Sequence, residues 1–310
     1  MDTGEMFTQI FNNRIIFIFS FLFDRYLHTS KMCSNIVKLG VFKHLSCRNS
    51  IYPQSDIKRF TVPDEFVFWS CDFTKYDPPS YTSEHIHGKV YADPEIGEFN
   101  PKWNTLDGQV NRVSHMGQYK IDNSGCPLNP IGRTGLRGRG LLGRWGPNHA
   151  ADPIVTRWKR TEDGAKVKKP GSNKNILEMV AIQRHDNKMW AIPGGMVDPG
   201  EKVTTTLKRE FIEEALDSLE QKKLIDEFFA EGKEIYKGYV DDFRNTDNSW
   251  IETVAYNFHD ESGVLAGKLD LCAGDDAVNV KWQDVNSEIV LHANHKNFVK
   301  AVAELLNAAW

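Results

Sequence analysis

The sequence predicts an α/β fold in which helices cover a mixed sheet, preceded by a smaller, irregular and mostly β region. Two patterns lead to this fold class. Between residues 175 and 310, short runs with strand-like alternation are separated by stretches with helical periodicity. Within the same region, an acidic helix follows a loop rich in proline and glycine. A sheet packed between helices is the expected layering for this order of elements.

The composition is that of a soluble, folded chain. The 310 residues are 40% hydrophobic, which is enough for a sizeable core in one large or two modest domains. The net charge of −4 argues against a nucleic-acid binder that relies on bulk electrostatics. The five cysteines are scattered without a CxxC pair, so they indicate neither a cysteine-based zinc site nor a disulfide framework.

Residues 1–55 form a predicted leader. Its apolar run, residues 15–23, is too short to span a bilayer. Residues 32–55 contain basic but no acidic side chains, which is typical of a mitochondrial transit peptide. We therefore expect a location in the mitochondrial matrix. Cytoplasmic and secretory routes stay open as alternatives, because acidic residues occur within the first thirty positions.

Residues 56–150 form a predicted N-terminal domain that acts as a lid or scaffold. Its first part is rich in proline, aspartate and aromatic residues, and we expect short strands there, such as residues 65–71. A Gly/Arg-rich segment, residues 132–146, follows, with arginines at Arg133, Arg137, Arg139 and Arg144. Guanidinium groups in such a segment either contact phosphate or form structural ion pairs, and the neighbouring Trp145 favours the structural role.

Residues 151–310 form the predicted main domain. Strands are expected at residues 176–184, 188–192, 234–240, 251–258 and 278–282. A helix beginning at Thr204 has an apolar residue at every fourth position: Leu207, Phe211, Ala215 and Leu219. A second helix is expected over residues 297–310.

Three carboxylates on the first of these helices suggest a metal site. Glu210, Glu213 and Glu214 are spaced i, i+3 and i+4, so they share one face, on which like charges repel. A hard cation such as Mg²⁺ would relieve that repulsion, and it commonly bridges carboxylates to substrate phosphates. Arg209 can pair with Glu213 across one helical turn. The alternative is an ordinary solvated helix face.

A longer spacing pattern makes the function more specific. Gly195 is followed by five residues and Glu201, then by seven residues and the run Arg209-Glu210-Phe211-x-Glu213-Glu214. This pattern resembles the signature box of the Nudix hydrolases. It departs at Leu216, where that family has glycine, and at Asp217, where it has an aliphatic residue.

Further segments resemble one branch of that family, the mitochondrial ADP-ribose pyrophosphatases, together with the related ADP-ribose-sensing domains of melastatin-type TRP channels. They are residues 132–160, 190–202, 236–253 and 292–296, and the similarity extends from about Tyr52 to the C-terminus. The resemblance implies the Nudix α-β-α sandwich. It also implies metal-dependent hydrolysis of the pyrophosphate bond of ADP-ribose to AMP and ribose 5-phosphate, by a monomer with no nucleic-acid or membrane partner.

The resemblance also implies roles for the acidic residues. Mg²⁺, or Mn²⁺ in its place, is expected to bind Glu210, Glu214 and the main-chain carbonyl of Gly195. Arg209, Glu210, Glu213 and Glu214 form the expected catalytic set. The general base stays open among Glu213, Glu214, Asp275 and Asp276.

Substrate recognition is expected outside the box. Asp242 and Arg244, in a turn-rich loop between two predicted strands, offer an acceptor for ribose hydroxyls and a donor for phosphate. The sensing relatives imply the same two positions, and also Asn294, His295 and His149. Turn capping by Asp242, helix capping by Asn294 and His295, and a structural role for His149 are the alternatives.

Two other functions stay open. The first is a module that senses ADP-ribose without cleaving it. The complete acidic box argues against this, because a sensor can lose these carboxylates and keep its nucleotide contacts. The second is a hydrolase of another nucleoside diphosphate derivative, such as NADH or a dinucleoside polyphosphate.

Overall fold

A mixed sheet of seven strands organises the part of the chain that the computed structural model describes, residues 44–186, 188–216, 222–273 and 277–310. Its five long strands run in the order β11-β6-β5-β10-β9, and the short strands β7 and β8 pair with β6 and β5. The bounds of these strands are β5 Gly146–Trp158, β6 Leu177–Arg184, β7 Trp190–Ala191, β8 Gly195–Met196, β9 Lys233–Tyr239, β10 Ser249–Asp260 and β11 Ala277–Asp284. This confirms the predicted mixed sheet.

The pairing of the two central strands shows which of their side chains share a face of the sheet. β5 and β10 are parallel, with His149 opposite Glu252 and Ala150 opposite Thr253. Because successive side chains in a strand point to opposite faces, His149 and Glu252 lie on one face of the sheet. Ala150 and Asp152 lie on the other face.

Helices cover both faces of the sheet. They are α1 Val203–Ala215, α2 Lys222–Phe228 and α3 His295–Leu305. Leu207 and Phe211 of α1 pack with Val180 on one face, whereas Phe298 and Val302 of α3 pack with sheet residues on the other face. Full burial of each of these side chains contributes about 1.5–3 kcal/mol to folding. The α-β-α layering is therefore present.

The five strands predicted for residues 151–310 are all present, but sequence reasoning missed β5 and the short β8. β5 is buried on both faces along most of its length, so it lacks the alternation of polar and apolar residues that marks a half-buried strand. It also contains Pro147 and Pro153, which normally argue against a strand. β5 runs without interruption through residue 150, where the boundary between the two domains was predicted.

The region before β5 is irregular. It contains the two short pairs formed by β1 Ser80–Thr82 with β4 Arg137–Gly140, and by β2 Leu106–Asp107 with β3 Val110–Asn111. Residues 65–71, predicted as a strand, hold instead a 3-10 turn, Asp64–Phe66, and further turns. The cause is Arg133, which donates hydrogen bonds to the main-chain oxygens of Phe66, Phe68 and Cys71. These carbonyls converge on one guanidinium, which the alternating carbonyls of a strand do not allow.

The other arginines of the Gly/Arg-rich segment are also structural. Arg139 is buried and bonds to the main chain of Asp93 and to Glu95. Arg144 forms an ion pair with Asp93 at 2.8 Å, and Arg137 lies 3.8 Å from Asp77. These arginines bind groups within the protein, as the structural alternative predicts, rather than being left open for phosphate.

The helix ends differ from the prediction. α1 ends at Ala215, and Leu216 is extended with φ −135°, a conformation that needs no glycine. Its neighbour Cys272 donates its N–H to the Ala215 carbonyl. α3 begins two residues earlier than predicted and ends at Leu305 rather than at the chain terminus.

Some predictions fall outside the described residues. These are the apolar run at 15–23, the leader up to residue 43, Asp217, Leu219, Asp275 and Asp276. Within the described ranges, no helix is long and apolar enough to span a membrane.

Candidate functional site

A cavity of about 470 Å³ brings together most of the predicted site residues. Its walls come from the acidic face of α1, the loop after β9 and the start of α3. Eight of the ten predicted residues line it: Gly195, Arg209, Glu210, Glu213, Glu214, Asp242, Arg244 and His295. Asn294 and His149 do not.

Two of the three helix carboxylates are buried, and Arg209 contacts one of them together with the exposed one. Glu210 and Glu214 are 8% and 7% exposed, whereas Glu213 faces solvent. The Arg209 guanidinium lies 2.8 Å from Glu210 and 2.9 Å from Glu213. It also bonds to Glu201 at 3.1 Å. The spacing of the box residues therefore produces one ion-pair network, with Arg209 at its centre.

The main chain of Gly194 and Gly195 lies against this network. The N–H of Gly194 donates to Glu214 Oε2 at 2.7 Å. A Cβ built on Gly195 would lie against Glu210 Oε2, so any larger residue at this position would have to displace that carboxylate. Both buried carboxylates thus touch the main chain of the loop.

The electrostatics at Glu210 suit a divalent cation. Burial raises the pKa of Glu210 to about 7, and the neighbouring Glu213 charge adds to this increase, although Arg209 opposes it. A buried carboxylate with a raised pKa is stabilised in its charged form by a nearby cation. Glu210, Glu214 and the main chain of Gly195 form an oxygen-rich set that fits a hard metal ion.

The predicted substrate pair is preformed. Arg244 binds Asp242 with two hydrogen bonds, from Nε at 2.8 Å and from the terminal nitrogen at 2.9 Å. Burial alone would raise the pKa of Asp242, but the Arg244 guanidinium holds that pKa well below its usual range. Asp242 is only 2% exposed. It therefore presents a fixed negative charge in the cavity wall, with its arginine alongside.

The two predicted residues at the start of α3 differ in their environment. His295 Nδ1 accepts the N–H of Ile192 at 3.1 Å, and burial lowers the pKa of His295 to about 3. The neutral ring therefore carries its proton on Nε2, which lies 4.0 Å from Asp152 Oδ1. Asn294 precedes α3, yet its side chain makes no capping hydrogen bond. Both of its amide atoms are buried without a hydrogen-bond partner among the described residues.

Comparison with known proteins identifies the family. Residues 62–146 match the model of the NUDT9-like N-terminal domain, and residues 172–305 match that of the NUDIX domain. The mitochondrial ADP-ribose pyrophosphatase of Rattus norvegicus is 54% identical, over 86% of this chain and 79% of its own length. The chain belongs to the Nudix hydrolase family.

Two further relatives place the chain in the same branch. Putative nudix hydrolase 6 of Caenorhabditis elegans is 52% identical, over 85% of this chain and 98% of its own length. The TRP cation channel subfamily M member 2 of Mus musculus is 40% identical over 86% of this chain, which corresponds to 18% of the channel. The resemblance to pyrophosphatase and channel sequences is thus confirmed.

Sequence reasoning missed two carboxylates of this Nudix cavity, Asp152 and Asp186. Asp152 of β5 lines the cavity and is buried, and Thr253 donates a hydrogen bond to its Oδ2 at 2.6 Å. Burial raises its pKa to about 6. An Asp-Pro pair usually marks a turn, and the only available signal was an acidic residue inside an otherwise apolar run.

His149 belongs to a different environment. It lines a second cavity of about 480 Å³, on the face of β5 opposite Asp152, together with His115 and the box residue Glu201. Its ring centroid lies 4.7 Å from that of His115. Burial lowers the pKa of His149 to about 4 and that of His115 to about 3. The structure therefore does not bring His149 together with the other predicted substrate residues.

Proposed function

We propose that this chain hydrolyses the pyrophosphate bond of ADP-ribose to AMP and ribose 5-phosphate, with Mg²⁺ as its metal and Mn²⁺ as a substitute. The observation that carries the proposal is the joint placement of the buried box carboxylates and the Asp242–Arg244 pair in one cavity. The cavity volume lies in the range of small-molecule sites. The name of the rat relative, 54% identical, supports ADP-ribose as the substrate.

The box residues have distinct roles in this proposal. Glu210, Glu214 and the main chain of Gly195 hold the metal. When bound, the metal supplies positive charge to the diphosphate and favours ionisation of a water molecule. Arg209 keeps Glu213 in place and offsets the repulsion among the carboxylates. Because the pKa of Asp152 lies near neutrality, this residue joins Glu213 and Glu214 as a candidate to accept the proton of the attacking water.

The opposite wall holds the substrate. Arg244 offers guanidinium donors to phosphate, and Asp242 offers carboxylate oxygens to ribose hydroxyls. His295 is neutral and carries its proton on Nε2, so it acts as a hydrogen-bond donor rather than as a base. Asn294, with two unpaired amide atoms, is proposed as a further substrate contact.

The proposal is tested by product identification. Purified chain with Mg²⁺ and ADP-ribose should release AMP and ribose 5-phosphate, and a chelator should stop the reaction. Glu214→Gln should lower kcat by roughly a hundredfold or more, because it removes a charge at the metal site. Glu227→Gln, an exposed carboxylate of α2, is the matched control and should keep full activity.

The same assay separates the alternatives. Binding of ADP-ribose without release of AMP would favour the sensing module. Faster turnover of NADH or of a dinucleoside polyphosphate would favour another Nudix substrate. Chelator-resistant turnover would contradict the metal mechanism itself.

For the cellular location, we propose the mitochondrial matrix, supported by the acid-free basic stretch at 32–55 and by the mitochondrial relative. A fluorescent fusion of residues 1–60 should enter mitochondria. A fusion that begins at Met32 should do the same, since it keeps the basic stretch. Cytosolic fluorescence of both fusions would leave the location without support from the sequence.

A further inference from the structure

Three metal-ligating side chains converge outside the Nudix cavity. His115, His149 and Glu252 each place one ligand atom within 4.8 Å of the others. Both histidines line the second cavity, while Glu252 is completely buried behind them. None of the three has a role in the proposed hydrolysis other than the sequence-based expectation for His149.

Rigid elements position this cluster. His149 and Glu252 occupy directly paired positions on the central strands β5 and β10, so their side chains share one face of the sheet. His115 comes from the irregular N-terminal region. It is held there because its N–H donates to Glu252 Oε2 at 2.5 Å.

The remaining partners of Glu252 orient its carboxylate. Ser114 Oγ and Trp250 Nε1 both donate to Oε1, at 2.5 Å and 2.7 Å. An ionised carboxylate has about four lone-pair sites, so these bonds leave capacity for one more ligand. Hydrogen bonds of this kind are the usual outer support of a metal-binding carboxylate.

The imidazoles, in contrast, lack partners. His115 Nε2 and both ring nitrogens of His149 are buried and make no hydrogen bond among the described residues. Main-chain groups of Asn111 and Val113 lie near the His149 ring and raise its pKa, but neither forms a hydrogen bond of standard distance and angle with it. Leaving buried polar atoms unpaired is costly in a folded protein. A metal ion that accepts the lone pairs of these ring nitrogens would remove that cost.

We infer that His115, His149 and Glu252 form a second metal site, one for Zn²⁺ rather than for the Mg²⁺ of the Nudix box. Zn²⁺ binds histidine nitrogen and carboxylate oxygen together, whereas Mg²⁺ prefers oxygen alone. Three protein ligands leave a fourth position open toward the second cavity. The neighbouring Lys237 is exposed, so solvent screens its charge.

This site joins the N-terminal region to the sheet. One ligand comes from the loop that contains His115, and the other two come from the central strands. Zn²⁺ would therefore stabilise the docking of that region. The main chain of His149 also accepts the N–H of Val197 from the Nudix loop, which places the site directly behind the box.

Zinc binding in the presence of excess Mg²⁺ tests the inference. The full chain should bind one Zn²⁺ that Mg²⁺ does not displace, as measured by competition with a colorimetric chelator. Zn²⁺ should also raise the Tm. His115→Asn should weaken this binding by about tenfold or more and leave ADP-ribose hydrolysis unchanged. His87→Asn, an exposed histidine of the same region, should bind Zn²⁺ like the wild type.

A second measurement needs no variant. X-ray absorption of the Zn²⁺-loaded wild type should show two imidazole ligands. A ligand shell of oxygen alone, or complete displacement of Zn²⁺ by Mg²⁺, would overturn the inference, and so would wild-type affinity in a folded His115→Asn protein. All of these results are independent of whether ADP-ribose is the substrate.

Discussion

The Asp242–Arg244 pair shows how one contact serves both stability and recognition. Asp242 is almost completely buried, and Arg244 compensates its charge. Asp242→Asn or Arg244→Ala should raise KM for ADP-ribose more than it lowers kcat. The reason is that a contact made equally to the bound substrate and to the transition state affects KM and not kcat. Steady-state kinetics over a range of ADP-ribose concentrations would measure the two effects separately.

The two variants should differ in stability. Arg244→Ala leaves a buried carboxylate without its partner, so it should cost about 2–3 kcal/mol, less than a fully buried pair because the guanidinium is partly exposed. Asp242→Asn should cost less, since the Arg244 guanidinium that it leaves without a counter-charge is 29% exposed. Chemical denaturation compares them, and an unchanged KM in both variants would return this loop to a purely structural role.

At the residue scale, sequence reasoning succeeded where spacing determines geometry. The i, i+3, i+4 positions of Glu210, Glu213 and Glu214 require a shared helix face, and the structure has it. Asp152 was not predictable in this way, because its position in the cavity depends on the pairing of two strands far apart in sequence. The position of His149 in the second cavity was not predictable for the same reason.

At the element scale, β10 was predicted and β5 was not, although both strands are buried on both faces over most of their length. Periodicity carries no information when both faces are apolar, so the local residue types decide. β5 contains Pro147 and Pro153, which normally argue against a strand. α1 and α3 were predicted by their apolar stripes, whereas α2 was not predicted. The predicted ends of α1 and α3 were wrong because tertiary contacts determine where each helix stops.

The start of β8, at Gly195, gives a prediction at this scale. Gly195→Ala places a methyl group against Glu210, so it should cost about 1–3 kcal/mol and displace the carboxylate. We expect a large loss of Mg²⁺-dependent kcat and a lower Tm. Gly267→Ala, where a Cβ meets nothing within 4 Å, is the matched control. Full activity in Gly195→Ala would show that the close approach is unimportant.

At the scale of the whole molecule, buried histidines and buried carboxylates affect the stability in mild acid in opposite directions. Burial lowers the pKa of four histidines to about 3 or 4: His44, His115, His149 and His295. Below pH 6.5 these histidines bind protons in the unfolded chain but stay neutral in the folded chain. They therefore lower the free energy of unfolding as the pH decreases. The raised pKa values of Asp152 and Glu210 act in the opposite direction over the same range.

Each of these four histidines should lower the stability of the metal-free chain by up to about 1.4 kcal/mol per pH unit between pH 6.5 and pH 5. The carboxylates whose pKa burial raises, which also include Asp241, Asp247 and Glu252, act against this loss. His115→Asn removes one of the histidines, so its stability should respond less unfavourably than that of the wild type as the pH decreases. Urea denaturation of both proteins at several pH values measures the difference, and an identical pH dependence would contradict the neutral state of the His115 ring.

The shared wall formed by β5 and β10 limits how this protein can change during evolution. Neighbouring positions on these strands serve opposite faces, with Asp152 and Thr253 on one face and His149 and Glu252 on the other. Deletion or insertion of a single codon within either strand would reverse the facing of every residue beyond it. Both cavities would then lose their polar groups in the same event. Descendants of this gene can therefore alter the two cavities separately only by substitution, and length variation must be confined to the connecting loops.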